Sequence, residues 1–149
     1  MKKSQRFSTL AELAKNKEKA AASALGAVNK VHMENVEKLE SLIQYRFEYI
    51  KKFDSHGKLG MDATSMQTYK TFIEGLEQAI NDIKIQIIES EQQCLVSKSL
   101  WQQVHMKTEI MNTTVEKYKN KERIDEDHRE QKEMDDRPHT HNKQPVDLK

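Results

Sequence analysis

Between Met66 and Tyr118 the chain carries an apolar or aromatic side chain at nearly every step of alternating threes and fours: Met66, Tyr69, Ile73, Leu76, Ile80, Ile83, Ile87, Ser90, Cys94, Ser97, Trp101, Val104, Thr108, Met111, Val115 and Tyr118. Only Ser90, Ser97 and Thr108 break the rule, and each is small enough for a packed seam. A period of 3.5 kept this long drifts off the face of a straight helix by about 20° per heptad, so it predicts a left-handed supercoil around a partner. At roughly 1.5 Å per residue the segment is about 80 Å long, an arm rather than a piece of a compact domain.

From about residue 7 to residue 53 the pattern is again helical. Leu10 and Leu13 lead into an alanine-rich stretch from Ala20 to Ala24, which has high helix propensity and little bulk. After Leu25 and Val28 the polar His32 and Asn35 interrupt the apolar run. Val36, Leu39, Ile43, Phe47, Ile50 and Phe53 then form one stripe, and Leu42, Tyr45 and Tyr49 a second about 120° around the helix. One stripe serves a helical partner. The other has no obvious use within the chain.

Residues 54–64, with Gly57 and Gly60 offering left-handed or unconstrained backbone and Thr64 followed by Gln67 as a capping box, read as a turn. So short a link makes the helices antiparallel neighbours. Centring the turn near Leu59 places Leu42 near Leu76, Tyr49 near Tyr69 and Leu10 near Thr108, with the second helix overhanging the first. Beyond Tyr118 the seam positions become Glu122 and Asp125, so packing is expected to end there and a charged single helix to run on until Pro138. The expected architecture is all-α: a long antiparallel two-helix coiled-coil hairpin over residues 1–137, with helices at about 7–53 and 65–136, and a disordered tail at 138–149.

Composition agrees with long helices. Of 149 residues, 33% are charged and 6% aromatic, with four glycines and two prolines. A formal net charge of +1 argues against nucleic acid as a partner, since that would demand a dominant positive excess. No apolar run approaches a membrane span or a signal peptide, which predicts a soluble, intracellular protein without direct membrane insertion. The lone Cys94 sits on a seam position, as a small buried hydrophobe would. Neither a phosphate-binding glycine loop nor a zinc or redox spacing is present, and His128, His139 and His141 read as solvated rather than metal-binding. An enzyme is not expected, nor a cofactor.

Phe72, Leu76, Ala79 and Ile83 run along the second helix in register with Leu42, Tyr45 and Tyr49. Either a broad coiled-coil face buries all of them, or they merge into a patch near the turn on which another protein docks, with tyrosine hydroxyls left wet.

The segments from Leu42 to Tyr49 and from Tyr69 to Ile80, with Trp101 farther on, resemble the FliJ family, the small soluble component of the bacterial flagellar type III export apparatus. The resemblance covers nearly the whole chain. It implies a hairpin similar to the central stalk of rotary ATPases, non-enzymatic and cytoplasmic, a monomer when free. Such a stalk inserts its open end into the export ATPase hexamer, contacts the cytoplasmic domain of the membrane export-gate protein, and escorts export chaperones, so that it lies at the inner face of the membrane through its partners. The family's gate-facing surface carries over onto Lys38, Leu42, Tyr45, Tyr49, Phe72, Leu76, Ala79 and Ile83. Lys38 stands where the family has an uncharged amide, and Ile83 where it has a histidine. The alternatives are the equivalent stalk of a virulence-type secretion system, or a coiled-coil chaperone with no stalk role.

Overall fold

A computed structural model describes residues 2–57 and 60–137. Helix α1 spans Lys3–Lys52 and runs into one π-helical turn, Phe53–Gly57; helix α2 spans Ala63–Asp136. The two long helices fold back and pack along each other, and no strand occurs among the described residues. The expected tail, 138–149, lies outside the described residues.

Helix α1 begins one turn earlier than its apolar pattern suggests, and the cause lies on α2. Lys2, the residue at its cap, supplies no side-chain hydrogen bond to the start of the helix. The Glu122 carboxylate does so instead, accepting from the Ser4 backbone N–H at 3.1 Å and from the Ser4 hydroxyl at 2.6 Å. A carboxylate at a helix start meets unpaired N–H groups and the positive end of the helix dipole, which favours it twice over. Packing therefore does not end at Tyr118: Phe7 stacks on Tyr118 at 4.9 Å, Ser4 is sealed beneath Glu122, and Lys2 reaches Glu126 at 3.2 Å.

At the bend the expected Thr64–Gln67 capping box is not used. Asp62 caps α2, its carboxylate accepting from the Ser65 N–H at 2.7 Å, and that bond holds its pKa below the ordinary carboxylate value. Nor does any described glycine take a left-handed conformation. What Gly57 provides is room, because a Cβ there would stand 2.9 Å from the Phe53 ring. That ring lies between the Gly57 backbone and the face of Tyr69, stacked at 3.8 Å. At its far end α2 stops at Asp136, with Arg137 in the extended conformation that a following proline imposes.

Every α2 seam position from Tyr69 to Tyr118 is buried or half-buried; Met66 alone remains exposed. Opposite it, α1 turns inward at Ser4, Phe7, Ala11, Ala14, Glu18, Ala21, Leu25, Val28, His32, Asn35, Leu39, Leu42, Arg46, Tyr49 and Phe53, a continuous heptad frame. Two expectations for α1 are thereby corrected. His32 and Asn35 do not interrupt the seam but belong to it, and of the two stripes it is Leu42 and Tyr49 that face the partner while Ile43 and Phe47 are 48% and 60% exposed. Leu10 and Leu13 also lie outside the seam.

The register follows expectation at the bend, where Tyr49 meets Tyr69, and departs from it farther out. His32 pairs with Ser90 and Glu18 with His105, four and five residues beyond the positions expected from a turn centred at Leu59. Two physical causes add. Helical winding continues to Gly57, which moves the centre of the bend along the chain. Side chains also lean toward the N-terminus of their own helix, so in an antiparallel pair they lean past each other, and the residues that touch both have higher numbers than those lying level.

Candidate partner-binding surface

The eight residues implicated from sequence fall into rows fixed by heptad spacing. Leu42 and Tyr49 on α1, and Leu76 and Ile83 on α2, occupy seam positions; Lys38 and Tyr45, and Phe72 and Ala79, occupy the position next to the seam on one flank. Leu76 and Ile83 are buried, Leu42, Tyr49, Phe72 and Ala79 half-buried, and Lys38 and Tyr45 exposed. The set is thus one side of the hairpin near the bend, half foundation and half surface.

Aromatic contacts tie the two helices together here. Phe72 lies 4.4 Å from the Tyr49 ring and meets Tyr45 edge-on at 5.9 Å and 70°. Tyr45 and Tyr49 are 6.4 Å apart, one turn of α1. These separations suit offset and edge-to-face attraction between rings. Tyr45 remains 50% exposed, so the cluster is not sealed. Farther from the bend, Lys38, Leu42 and Ile83 line one open groove with Ser41, Glu34 and Glu37. Leu76 and Ala79 take their place in the surface from heptad spacing alone. The coiled coil buries or half-buries the seam members and, on the flanking row, leaves Lys38 and Tyr45 exposed.

Sequence reasoning placed Tyr69 and Phe53 in the seam and overlooked that they lengthen this cluster. Tyr69 stacks on Tyr49 at 5.6 Å and on Phe53, carrying the rings from the exposed Tyr45 to the bend itself. Burial pushes the Tyr69 hydroxyl pKa up, with Asp54 adding to it. The available signal was the spacing of Tyr49, Phe53, Tyr69 and Phe72, symmetrical about the turn.

In the open half two polar crossings replace apolar seam contacts. The Ser90 hydroxyl donates to the Ile87 carbonyl at 3.0 Å, so toward His32, at 2.7 Å, it accepts, and His32 carries its proton on Nδ1. His105 turns Nδ1 to Glu18 and Nε2 to Glu109, the latter at 3.2 Å, while its ring stacks on Trp101 at 5.0 Å. The hydrogen bond to Glu18 raises the pKa of His105 and lowers that of Glu18. Trp101 itself is half-buried on the seam, as its register requires. Among the described residues no group of three His, Cys, Asp or Glu side chains is placed to hold a metal ion, and no helix is long and apolar enough to cross a membrane.

A sequence profile of the flagellar FliJ protein family matches residues 2–139. The chain belongs to that family. It is 26% identical over 130 residues to the flagellar FliJ protein of Escherichia coli (strain K12), covering 87% of this chain and 88% of the relative. To the flagellar FliJ protein of Salmonella typhi it is 25% identical over 128 residues, 86% of this chain and 87% of the relative. No solved structure gives a significant match. The aromatic rows near the bend thus lie within a FliJ-family hairpin whose matched span takes in both helices.

Proposed function

We propose that this FliJ-family hairpin is the stalk of a flagellar type III export apparatus: its open end enters the export ATPase hexamer, and its flank near the bend docks on the cytoplasmic domain of the membrane export-gate protein. Family membership supports a component of flagellar protein export, and the flagellar relatives favour that system over the virulence-type one. The free chain is a cytoplasmic monomer, held at the inner face of the membrane by these partners, and it escorts export chaperones. Lys38, Leu42, Tyr45, Tyr49, Phe72, Leu76, Ala79 and Ile83 form the gate-facing surface. Lys38 and Tyr45, with the outer edge of Phe72, make contact, while the buried Leu76 and Ile83 support them.

The observation that carries this reading is the unsealed Tyr45–Phe72 pair, which joins the two helices yet offers ring area to a partner. Replacing both with alanine should leave far-UV helicity nearly intact, because the seam rows below them remain, and should abolish binding to the purified cytoplasmic domain of the gate. A large loss of helicity would show instead that the rings hold the hairpin together.

A further inference from the structure

The open half carries a second surface on the same flank, and its chemistry differs from that of the aromatic rows. Leu10, Leu13 and Lys17 on α1, with Val104, Lys107 and Ile110 on α2, line one groove along the seam. Its floor is apolar and wet: Leu13 is 52% and Ile110 59% exposed. Heptad spacing extends the same flank toward the end of the rod. Lys3 and Arg6 lie seven residues before Leu10 and Leu13, and Lys117 lies seven beyond Ile110, with Lys121 four further on. The Lys3 ammonium, 5.9 Å over the Tyr118 ring, shows this row reaching across to α2. Along the flank, six cations (Lys3, Arg6, Lys17, Lys107, Lys117 and Lys121) stand beside the apolar floor, and none of the residues in these rows is acidic. The opposite flank at the same level is neutral, its groove lined by Glu12 and Glu116 as well as Lys15 and Lys119.

In a chain whose formal net charge is only +1, such sorting of charge to one side of one half is specific information. Leucine and isoleucine left in water beside cations that no carboxylate among the described residues neutralises are the complement of one kind of partner. We infer that this groove receives an amphipathic helix with acidic residues flanking its apolar stripe, which completes a three-helix bundle over the open half. Between Lys3 and Lys17 the flank is about 21 Å long, enough for roughly four turns of such a helix. Apolar anchors would enter between Leu10, Leu13 and Ile110, and carboxylates would reach the lysines on either rim. The inference stands apart from the stalk reading, since a hairpin that never entered a ring would carry the same groove.

The test uses the full chain and a synthetic helical peptide of about 21 residues, three heptads with leucine at the two seam positions and glutamate beside them, against the same peptide with lysine for glutamate. Fluorescence anisotropy should detect binding of the glutamate peptide only, weakened about tenfold or more by Lys17→Glu with Lys107→Glu, and likewise by a rise in salt that shortens the Debye length from about 10 Å to about 3 Å. Leu13→Ser with Ile110→Ser should remove it. Lys15→Glu with Lys119→Glu, on the opposite flank, should change it less than about twofold, as exposed charges away from a contact do. Charge reversal at these exposed lysines should leave the seam intact, which unchanged far-UV circular dichroism of each variant would check. Equal binding of the lysine peptide, equal weakening by the opposite-flank pair, or insensitivity to the Leu13 and Ile110 changes would overturn the inference. So would sedimentation equilibrium showing a dimer of the free chain that those two serines abolish, which would assign the groove to a second copy.

Discussion

His105 shows how one side chain can set both register and pH response. Its two ring nitrogens face the carboxylates of Glu18 and Glu109, an arrangement that satisfies the imidazolium and leaves the neutral ring with a nitrogen lone pair aimed at a negative charge. The folded pKa is therefore raised, with Glu18 the main cause, and its contribution to stability is full below the ordinary histidine value of 6.5 and is lost as pH rises through the folded value. Glu18 has the opposite sign: its lowered pKa contributes above the ordinary value of 4.5 and is lost as pH falls through the folded value. The pair is strongest between these limits. Urea unfolding should thus give a lower midpoint at about pH 8.5 than at about pH 6, and Glu18→Gln should flatten that difference. A slope unchanged in the variant would place the pH dependence elsewhere. In this seam, where Glu18 pairs with His105 and His32 with Ser90, a slip of one heptad would part Glu18 from His105 and set Ser90 against a leucine, so the polar contacts oppose misalignment that alanines alone would permit.

Helix α1 depends on α2 for its start. Because Glu122 of α2 supplies the cap that Lys2 cannot, Glu122→Ala should fray the first turn of α1, losing about four residues of helix, with Cα chemical shifts at Ser4 to Phe7 moving toward coil values while those beyond Ala14 hold. Unchanged shifts would show that Phe7 on Tyr118 suffices. The same dependence explains which elements were legible in the sequence. Helix α2 could be read nearly whole, since isoleucine, leucine, methionine and valine mark its seam and no proline precedes Pro138. Helix α1 could not, because the inward positions of its first half are mostly alanine or polar, and between Val36 and Phe53 apolar residues surround the axis on three sides. Local hydrophobicity then cannot choose a frame, and the frame that wins is the one that continues Ser4, Phe7 and Ala11 without a break. Half of the candidate surface suffered from the same ambiguity: Tyr45 and Phe72 were legible as an outward pair, whereas the inward places of Leu42 and Tyr49 depend on contacts made across the bend. The cap at Glu122 was beyond reach, being a match between residues 118 positions apart.

At the scale of the molecule the hairpin is a rod with different chemistry at its two ends: aromatic rows by the bend, a basic and aliphatic groove in the open half. If the open end is what the export ATPase holds, removing the residues before Ala14 and after Lys119 should abolish stimulation of the ATPase and ring assembly while leaving gate binding through Tyr45 and Phe72 in place. Unaltered stimulation in the truncated chain would refute the stalk reading, and loss of both activities would indicate that the truncation had unfolded the arm, which circular dichroism would register.

The contact between Ser4 and Glu122 also marks where the rod changes width. From there to Asp136 the second helix runs on for fourteen residues, about 21 Å, all of them exposed, with Lys2 meeting it at Glu126. Among the described residues this stretch is therefore a single helix some 10–12 Å across, following a stretch in which two helices pack side by side. A partner closing around that stretch meets helix surface from every side, whereas along the paired arms one face of each helix is already taken.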